Sequence, residues 1–530
     1  SLPGSYDFAR RAYFQGIGAT GRALKPISLI RPSSETPPLR ARLFAHVTAR
    51  AEGAGSGIAA ALATGDQGAI SKEDAEAMRR SGLAHLLSIS GLHVTALIGA
   101  VIFLLMRIMA LSRRAALDWP LMMIAAGCGA MAGIGYTLLT GAEVPTVRSC
   151  VAALLVLGGL ALGRDAITLR LVAAGALVVL LLWPEALVGP SFQMSFAAIV
   201  ALVALGEDPR FRALTAAREE GRFRWMTRTV AGMLLTGIAV ELVLAPIALY
   251  HFHKAGLLGA FANLIAIPLT TFVVMPLEAL ALLFDIVGMG APFWWLTGRA
   301  LELLLWIAHG VAANPWAVMM APTLSMAAFG LIVAGGLWCL LWRSGWRWAG
   351  LVPVAAGAAA ILATSAPDIL VTNDGRHVAV RRPNGAMALL RERAGDYVRE
   401  MMAESAGVEG EMDAIATLPE ARCSTDLCAV ALRGPDREWR LLVTRTDGLV
   451  PRDKLERDCG RADIVIADRR LPDWCRPRWL KVDRRLLART GGLAIDLDRH
   501  VVRTGKEPGD THPWIVRPGA SLRRARSGQL

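Results

Sequence analysis

Residues 85–111, HLLSISGLHVTALIGAVIFLLMRIMAL, place two histidines, two serines and a glycine at the start of an apolar run about 20 residues long. That is the length a helix needs to cross a bilayer. Polar and ionisable groups at a membrane edge are costly unless they line a cavity, pair or face water, so the junction is a candidate functional element. Its alternative role is local, as a helix start tied by hydroxyl and imidazole hydrogen bonds. The 530-residue chain is 54% hydrophobic and 19% charged, with a net charge of +13 and a mean hydropathy of +0.43. It is too apolar for a soluble protein and too charged to be embedded throughout.

Ten stretches have the length and character of spanning helices: 92–111, 119–139, 144–162, 167–187, 191–206, 229–250, 257–284, 292–313, 323–342 and 349–365. The seventh is interrupted by Pro268 and Pro276 and is taken as one kinked span. Basic residues gather after the first span (Arg107, Arg113, Arg114), the third (Arg164, Arg170), the fifth (Arg210 to Arg228) and the ninth (Arg343, Arg347). All four connections are odd-numbered, so the positive-inside rule puts the N-terminal segment and everything after 366 outside the cytoplasm. Residues 367–530 hold 30 Lys/Arg against 25 Asp/Glu and form a water-soluble domain of nearly balanced charge. The overall positive charge is compatible with an anionic partner, but loop topology alone would also produce it.

Ahead of the spans, residues 1–38 and an amphipathic helical lead-in at 39–91 are separated by the proline-rich Arg31–Pro38. Ser71-Lys72-Glu73-Asp74 resembles a capping box and predicts a helix running to Ser81-Gly82. The chain begins at Ser1, which points to sequence missing before it. Cys128, Cys150 and Cys339 fall in apolar spans as small core residues. Cys423, Cys428, Cys459 and Cys475 lie in the soluble domain, where an oxidising exterior favours two disulfides with three possible pairings over a four-thiolate zinc site.

The segments 59–66 (AAALATGD) and 81–93 (SGLAHLLSISGLH) resemble the signature of the ComEC family of competence proteins. Gly141 with Pro145, Arg148 and Ser149, then 190–196 (PSFQMSF), then 262–268 (ANLIAIP) resemble the same family in the same order, and 6–16 (YDFARRAYFQG) is similar to the end of its N-terminal soluble domain. The resemblance implies a multi-pass channel in the bacterial inner (plasma) membrane that admits single-stranded DNA during natural transformation. It also implies other competence-machinery proteins as partners and a C-terminal domain resembling a metallo-β-lactamase αββα sandwich on the periplasmic side.

A strand of phosphates crossing a low-dielectric layer needs a polar lining with fixed cations or donors. The candidates for that lining are His85, Ser88, Ser90, Gly91, His93, Arg148, Gln193, Ser195 and Asn263. Each has a structural alternative: Arg148 can snorkel, and Gln193, Ser195 and Asn263 can bond neighbouring helices at about 0.6 kcal/mol each. Glu241 is the other intramembrane charge, a candidate partner for Arg148, while His251, His253 and Lys254 are placed either to meet phosphate or to anchor the helix end at the interface. In the soluble domain, 368–380 predicts two short strands around an Asn-Asp-Gly turn, and 463–467 a buried strand. A two-metal hydrolytic site needs a tight His-x-His-x-Asp-His cluster. His377, His500 and His512 are isolated, so no catalytic residue, metal or cofactor is expected. The function expected is a channel, with a small-anion or metabolite transporter and a membrane-bound metal-dependent hydrolase or nuclease as the alternatives. Oligomeric state is not readable from these patterns.

Overall fold

A computed structural model describes residues 2–21, 37–142, 144–161, 168–391, 394–410, 412–434, 437–446, 448–507 and 509–515. Residues 31–36 of the proline-rich break, Glu143 and Arg164 lie outside the described residues. The N-terminal segment contains α1 (Phe8–Phe14), and the lead-in contains α2 (Leu39–Arg50), α3 (Ser56–Thr64) and α4 (Lys72–Arg80). Ser71 caps α4 by accepting the Asp74 N–H, while its hydroxyl donates to the Asp74 carboxylate at 2.6 Å. The helix stops at Ser81-Gly82, where Gly82 takes φ +75° and a Cβ would stand 2.9 Å from the Gly259 Cα. Only glycine satisfies both demands. The lead-in is not amphipathic throughout: α3 is buried from Gly57 to Thr64, because its run of Ala with Ile58 and Leu62 packs into the interior of the bundle.

The apolar region comprises α5 (Gly91–Ala110), α6 (Arg113–Asp118), α7 (Leu121–Leu139), α8 (Val144–Ala161), α9 (Leu169–Leu182), α10 (Pro190–Glu207), α11 (Pro209–Thr215) and α12 (Arg222–Phe252). It continues through α13 (Gly259–Leu269), α14 (Met275–Asp285), α15 (Ala291–Ala312), α16 (Met326–Leu341) and α17 (Leu351–Leu362). Each of the ten predicted stretches is helical. Six segments are long and apolar enough to cross a membrane, namely α5, α7, α10, α12, Gly259–Asp285 and Gly345–Leu362. Thr146–Gly159, Leu169–Leu182 and Met326–Leu341 are shorter apolar helices. Helix α15 differs from all of these, since Trp294, Leu301, Leu304 and Ala308 are enclosed by protein and it packs on α4, α13 and α14.

Outward faces of the bundle are apolar, with Phe103, Leu138, Leu181 and Leu242 all more than half exposed. Inward contacts use small residues: Gly133 meets Ile98, Gly335 meets the Gly350 carbonyl, and Gly357 meets Ile332. Close backbone approach of this kind is how helices associate where lipid supplies no hydrophobic drive. Between α13 and α14 the chain winds through a π-helical turn, Thr270–Val274, flanked by Pro268 and Pro276. The missing proline N–H groups interrupt the regular ladder, and the 27 residues run as one helix with the π-helical turn inside it.

A two-stranded antiparallel ribbon, β1 (Lys254–Gly256) with β2 (Val318–Met320), closes one end of the bundle. The remaining strands are β3 (Ile369–Val371), β4 (Val378–Arg381), β5 (Met387–Leu389), β6 (Asp413–Ala414), β7 (Ala421–Cys423), β8 (Leu427–Arg433), β9 (Glu438–Thr444), β10 (Ile464–Ile466), β11 (Leu480–Val482), β12 (Leu493–Asp496) and β13 (Val501–Thr504). They make a six-stranded sheet in the order β13-β12-β3-β4-β5-β6 and a five-stranded sheet in the order β11-β10-β9-β8-β7. The predicted turn joins β3 to β4, with Gly375 at φ +69°.

Ile369, Val371, Val378 and Val380 of one sheet pack on Val430, Leu441, Val443, Ile464 and Ile466 of the other. Helix α18 (Asp396–Ala406) covers the outer face of the first sheet through Met402 and Ala406, beside Leu2 from the N-terminal end. Helix α19 (Arg452–Arg461) covers the second through Leu455 and Cys459. The layer order is helix, sheet, sheet, helix. Helix α20 (Arg484–Thr490) leads into β12. Cys423 is joined to Cys428, and Cys459 to Cys475.

Candidate transport path

Helix α12 fixes the long axis of the site. Its 31 residues run about 46 Å at the usual rise per residue. At its N-terminal end Arg228 binds Glu220 and donates to the Leu214 carbonyl at 2.7 Å. The same end of the molecule holds Arg343, paired with Glu207 at 2.7 Å, and Arg347, 4.0 Å from Asp208. The basic connections after α10 and α16 therefore lie together. At the other end Lys254 pairs with Glu404 of the sheet domain at 3.2 Å.

A cavity of about 2650 Å³, partly open to its surroundings, is lined by residues from both ends. Its wall includes Arg79, Arg80, Lys254, Asp396, Glu404 and Glu409 at the sheet-domain mouth, and Arg212, Arg218 and Arg228 at the basic end. Elsewhere its charged side chains are Arg148 and Glu241. Apart from these, apolar residues of α5, α8, α10, α12 and α13 alternate with hydroxyl and amide groups.

Seven of the nine candidates line this cavity: His85, Ser88, Ser90, Gly91, Arg148, Ser195 and Asn263. Ser90 is the N-cap of α5, and its N–H and hydroxyl both reach His93 Nδ1, at 3.1 and 3.0 Å. That arrangement makes His93 a buried capping residue behind the wall, with its Nε2 unpartnered among the described residues. His85 is exposed at the mouth, its Nδ1 3.2 Å from the Gly82 carbonyl. Gly91 sits opposite Ser149, which a Cβ would approach to 3.6 Å.

Gln193 is also held away from the cavity. Its amide donates to the Leu187 carbonyl at 3.0 Å, and its carbonyl lies 2.8 Å from His251 Nε2, locking the start of α10 to the end of α12. Arg148 is 7% exposed, and its Nε has no partner among the described residues. The same holds for Asn263 Oδ1. Two buried, unsatisfied polar groups on the wall of one cavity call for water or a ligand, since each left unmade costs about 1–3 kcal/mol.

Three expectations from the sequence are corrected. Glu241 does not pair with Arg148; its carboxylate accepts the Gly259 and Ala260 N–H groups at 3.1 and 2.9 Å, because α13 starts beside it with unsatisfied amides. His253 and Lys254 are already engaged, with Thr323 at 3.2 Å and with Glu404. Glu241 is also not the one further charge beside Arg148 in the apolar helices: Glu278 of α14 is 5% exposed, with Oε1 unpartnered among the described residues, and its single charge was hidden by the apolar run around it.

The contribution of α18 to the mouth is not visible in sequence either, since a charged helix far along the chain resembles any solvated surface helix. Lys72 of α4 reaches Asp396 at 2.8 Å. Hydrogen bonding and charge attraction to Asp396 raise the Lys72 pKa, and the same two effects from Lys72 lower that of Asp396.

The chain is 30% identical to the "Uncharacterized protein YcaI" of Escherichia coli over 57% of its own length and 39% of that protein's. It is 29% identical to "Competence protein ComA" of Neisseria gonorrhoeae, covering 55% of the chain and 40% of the relative. It is 23% identical to "ComE operon protein 3" of Bacillus subtilis, covering 52% and 33%. The chain thus spans about two fifths or less of the length of these relatives. No solved structure matches. The sequence model described as "Competence protein" matches residues 62–346, more than half of the chain, and the chain therefore belongs to the Competence protein family.

Proposed function

We propose that this chain forms a path for single-stranded DNA across the bacterial inner membrane during natural transformation. The observation that carries this reading is the cavity lined from both ends, whose wall gathers Arg148, Asn263, Ser195 and the 85–91 junction. A polyanion needs fixed cations and donors along such a wall, and buried Arg148, whose Nε–H has no partner among the described residues, supplies one. In this reading the three shorter helices and α15 complete a ten-span bundle, and the basic end of the cavity faces the cytoplasm. The N-terminal segment and the sheet domain then lie on the periplasmic side, where the incoming strand and other competence proteins meet the mouth.

The sheet domain is read as a metallo-β-lactamase-like sandwich without nuclease chemistry. Its layer order supports the architecture. The cavity, at about 2650 Å³, is larger than the roughly 300–1,000 Å³ of a typical small-molecule pocket, which favours an extended substrate.

Labelled DNA entry in a transformable host tests the reading. Deletion of the gene should abolish entry, and complementation should restore it. Undiminished entry after deletion would overturn the proposal.

A further inference from the structure

The cavity mouth carries a second feature that rests on the transport reading. Three cations of the bundle side, Lys72 and Arg80 of α4 and Lys254 of β1, are each held by a carboxylate from one stretch of the sheet domain. Lys72 meets Asp396 at 2.8 Å, Lys254 meets Glu404 at 3.2 Å, and Arg80 meets Glu409. All but Lys72 line the cavity. The carboxylates are between about one third and three quarters exposed, so water and mobile ions reach them and the pairs can exchange. The stretch is also seated by backbone contact: the Thr323 N–H meets the Ser405 carbonyl at 3.4 Å, and Gly407 lies against Pro322.

We infer that Lys72, Arg80 and Lys254 are the entry site for the phosphates of an incoming strand, and that Asp396, Glu404 and Glu409 occupy this site as an internal anionic substitute until the strand displaces them. A row of three cations facing three carboxylates has the charge complement of a short run of phosphodiesters. Exchange of a carboxylate for a phosphate keeps each cation paired throughout, so opening the mouth leaves no bare charge. Once the carboxylates are displaced, the three pairs no longer clamp α18 to the bundle side, and the stretch is left to its Thr323–Ser405 and Gly407–Pro322 contacts, which lets the mouth loosen where the strand enters.

The test uses the whole chain in lipid nanodiscs and a fluorescent oligothymidylate, titrated over a range of salt. Neutralising the substitute (Asp396→Asn, Glu404→Gln, Glu409→Gln together) should tighten binding on the order of tenfold. Neutralising the cations (Lys72→Gln, Arg80→Gln, Lys254→Gln together) should weaken binding and flatten the logarithmic salt dependence by about 2, from roughly 0.7 per phosphate contact. Hydrogen exchange of residues 396–409 should rise in both triples and, for the unaltered chain, on adding oligonucleotide. If both triples loosen that stretch while affinity and salt slope stay unchanged, the pairs only fasten the domains and the inference is wrong. If binding persists, depends on Arg148 and ignores both triples, the inference fails while the transport reading stands. No binding by the unaltered chain would overturn both.

Discussion

Arg148 in the bundle and Asp483 in the sheet domain are buried to nearly the same extent, 7% and 6% exposed. Asp483 accepts N–H groups from Leu471 at 3.3 Å and from Arg485 and Leu486 at 3.0 Å, so the carboxylate is consumed in fixing one loop and the start of α20. Arg148 Nε meets no such partner among the described residues and stands on the wall of a large cavity. The two regions repeat the contrast as wholes. Two sheets close over a core of Ile, Val and Leu, whereas the helices close around a space whose mostly apolar wall also carries hydroxyls, the Asn263 amide and the Arg148 guanidinium. A polar group that the fold requires is satisfied by the fold, and one left open beside a cavity is available to what passes through.

The contrast breaks if the two residues respond alike to substitution. Arg148→Gln should reduce DNA uptake about 10- to 100-fold, the value of one lost charge-assisted contact, with membrane levels and thermal stability unchanged. Quantitative transformation with immunoblotting reads both quantities, and a fall in protein level matching the fall in uptake would make Arg148 structural.

Asp483→Ala should do the reverse. It should cost the sheet domain about 3 kcal/mol by leaving buried N–H groups without an acceptor. Hydrogen exchange in the intact chain should show faster opening of α20 and β10–β11, with α5 and α12 unaffected. Replacing Cys459 and Cys475 by serine should lower stability of the same domain by about 2–3 kcal/mol, because the bridge closes a loop of moderate length. Denaturant melts with and without reductant check this, and reductant should no longer shift the variant's transition to the same degree. The smallest effect is Ser71→Ala, which should loosen the first turn of α4 by about 1 kcal/mol through loss of its cap, seen as local exchange at Glu73 and Asp74.

Much of this division was legible in sequence. The apolar stretches all became helices, Ser71 caps where its spacing predicts, and Gly375 turns the chain between β3 and β4. These features are local, set by periodicity and by one residue's backbone preference. What escaped depends on segments distant in sequence. The Glu241 carboxylate is satisfied by the start of a helix 18 residues later, and α3 is buried between the neighbouring α2 and the distant α15. Nothing in a run of alanines states which partner will bury it. His93 and Gln193 were read as path residues from residue type, yet each makes a hydrogen bond that fastens a helix end. The mouth was the least legible part, since its ion pairs join positions 150 or more residues apart in the chain.

Photo-crosslinking of a strand caught during uptake tests the central claim most directly. A photoreactive side chain at position 263, on the cavity wall, should capture single-stranded DNA, while the same group at position 242, on the outward face of α12 where Leu242 is 69% exposed, should not. Equal capture at both positions, or capture at 242 alone, would contradict a path through the bundle.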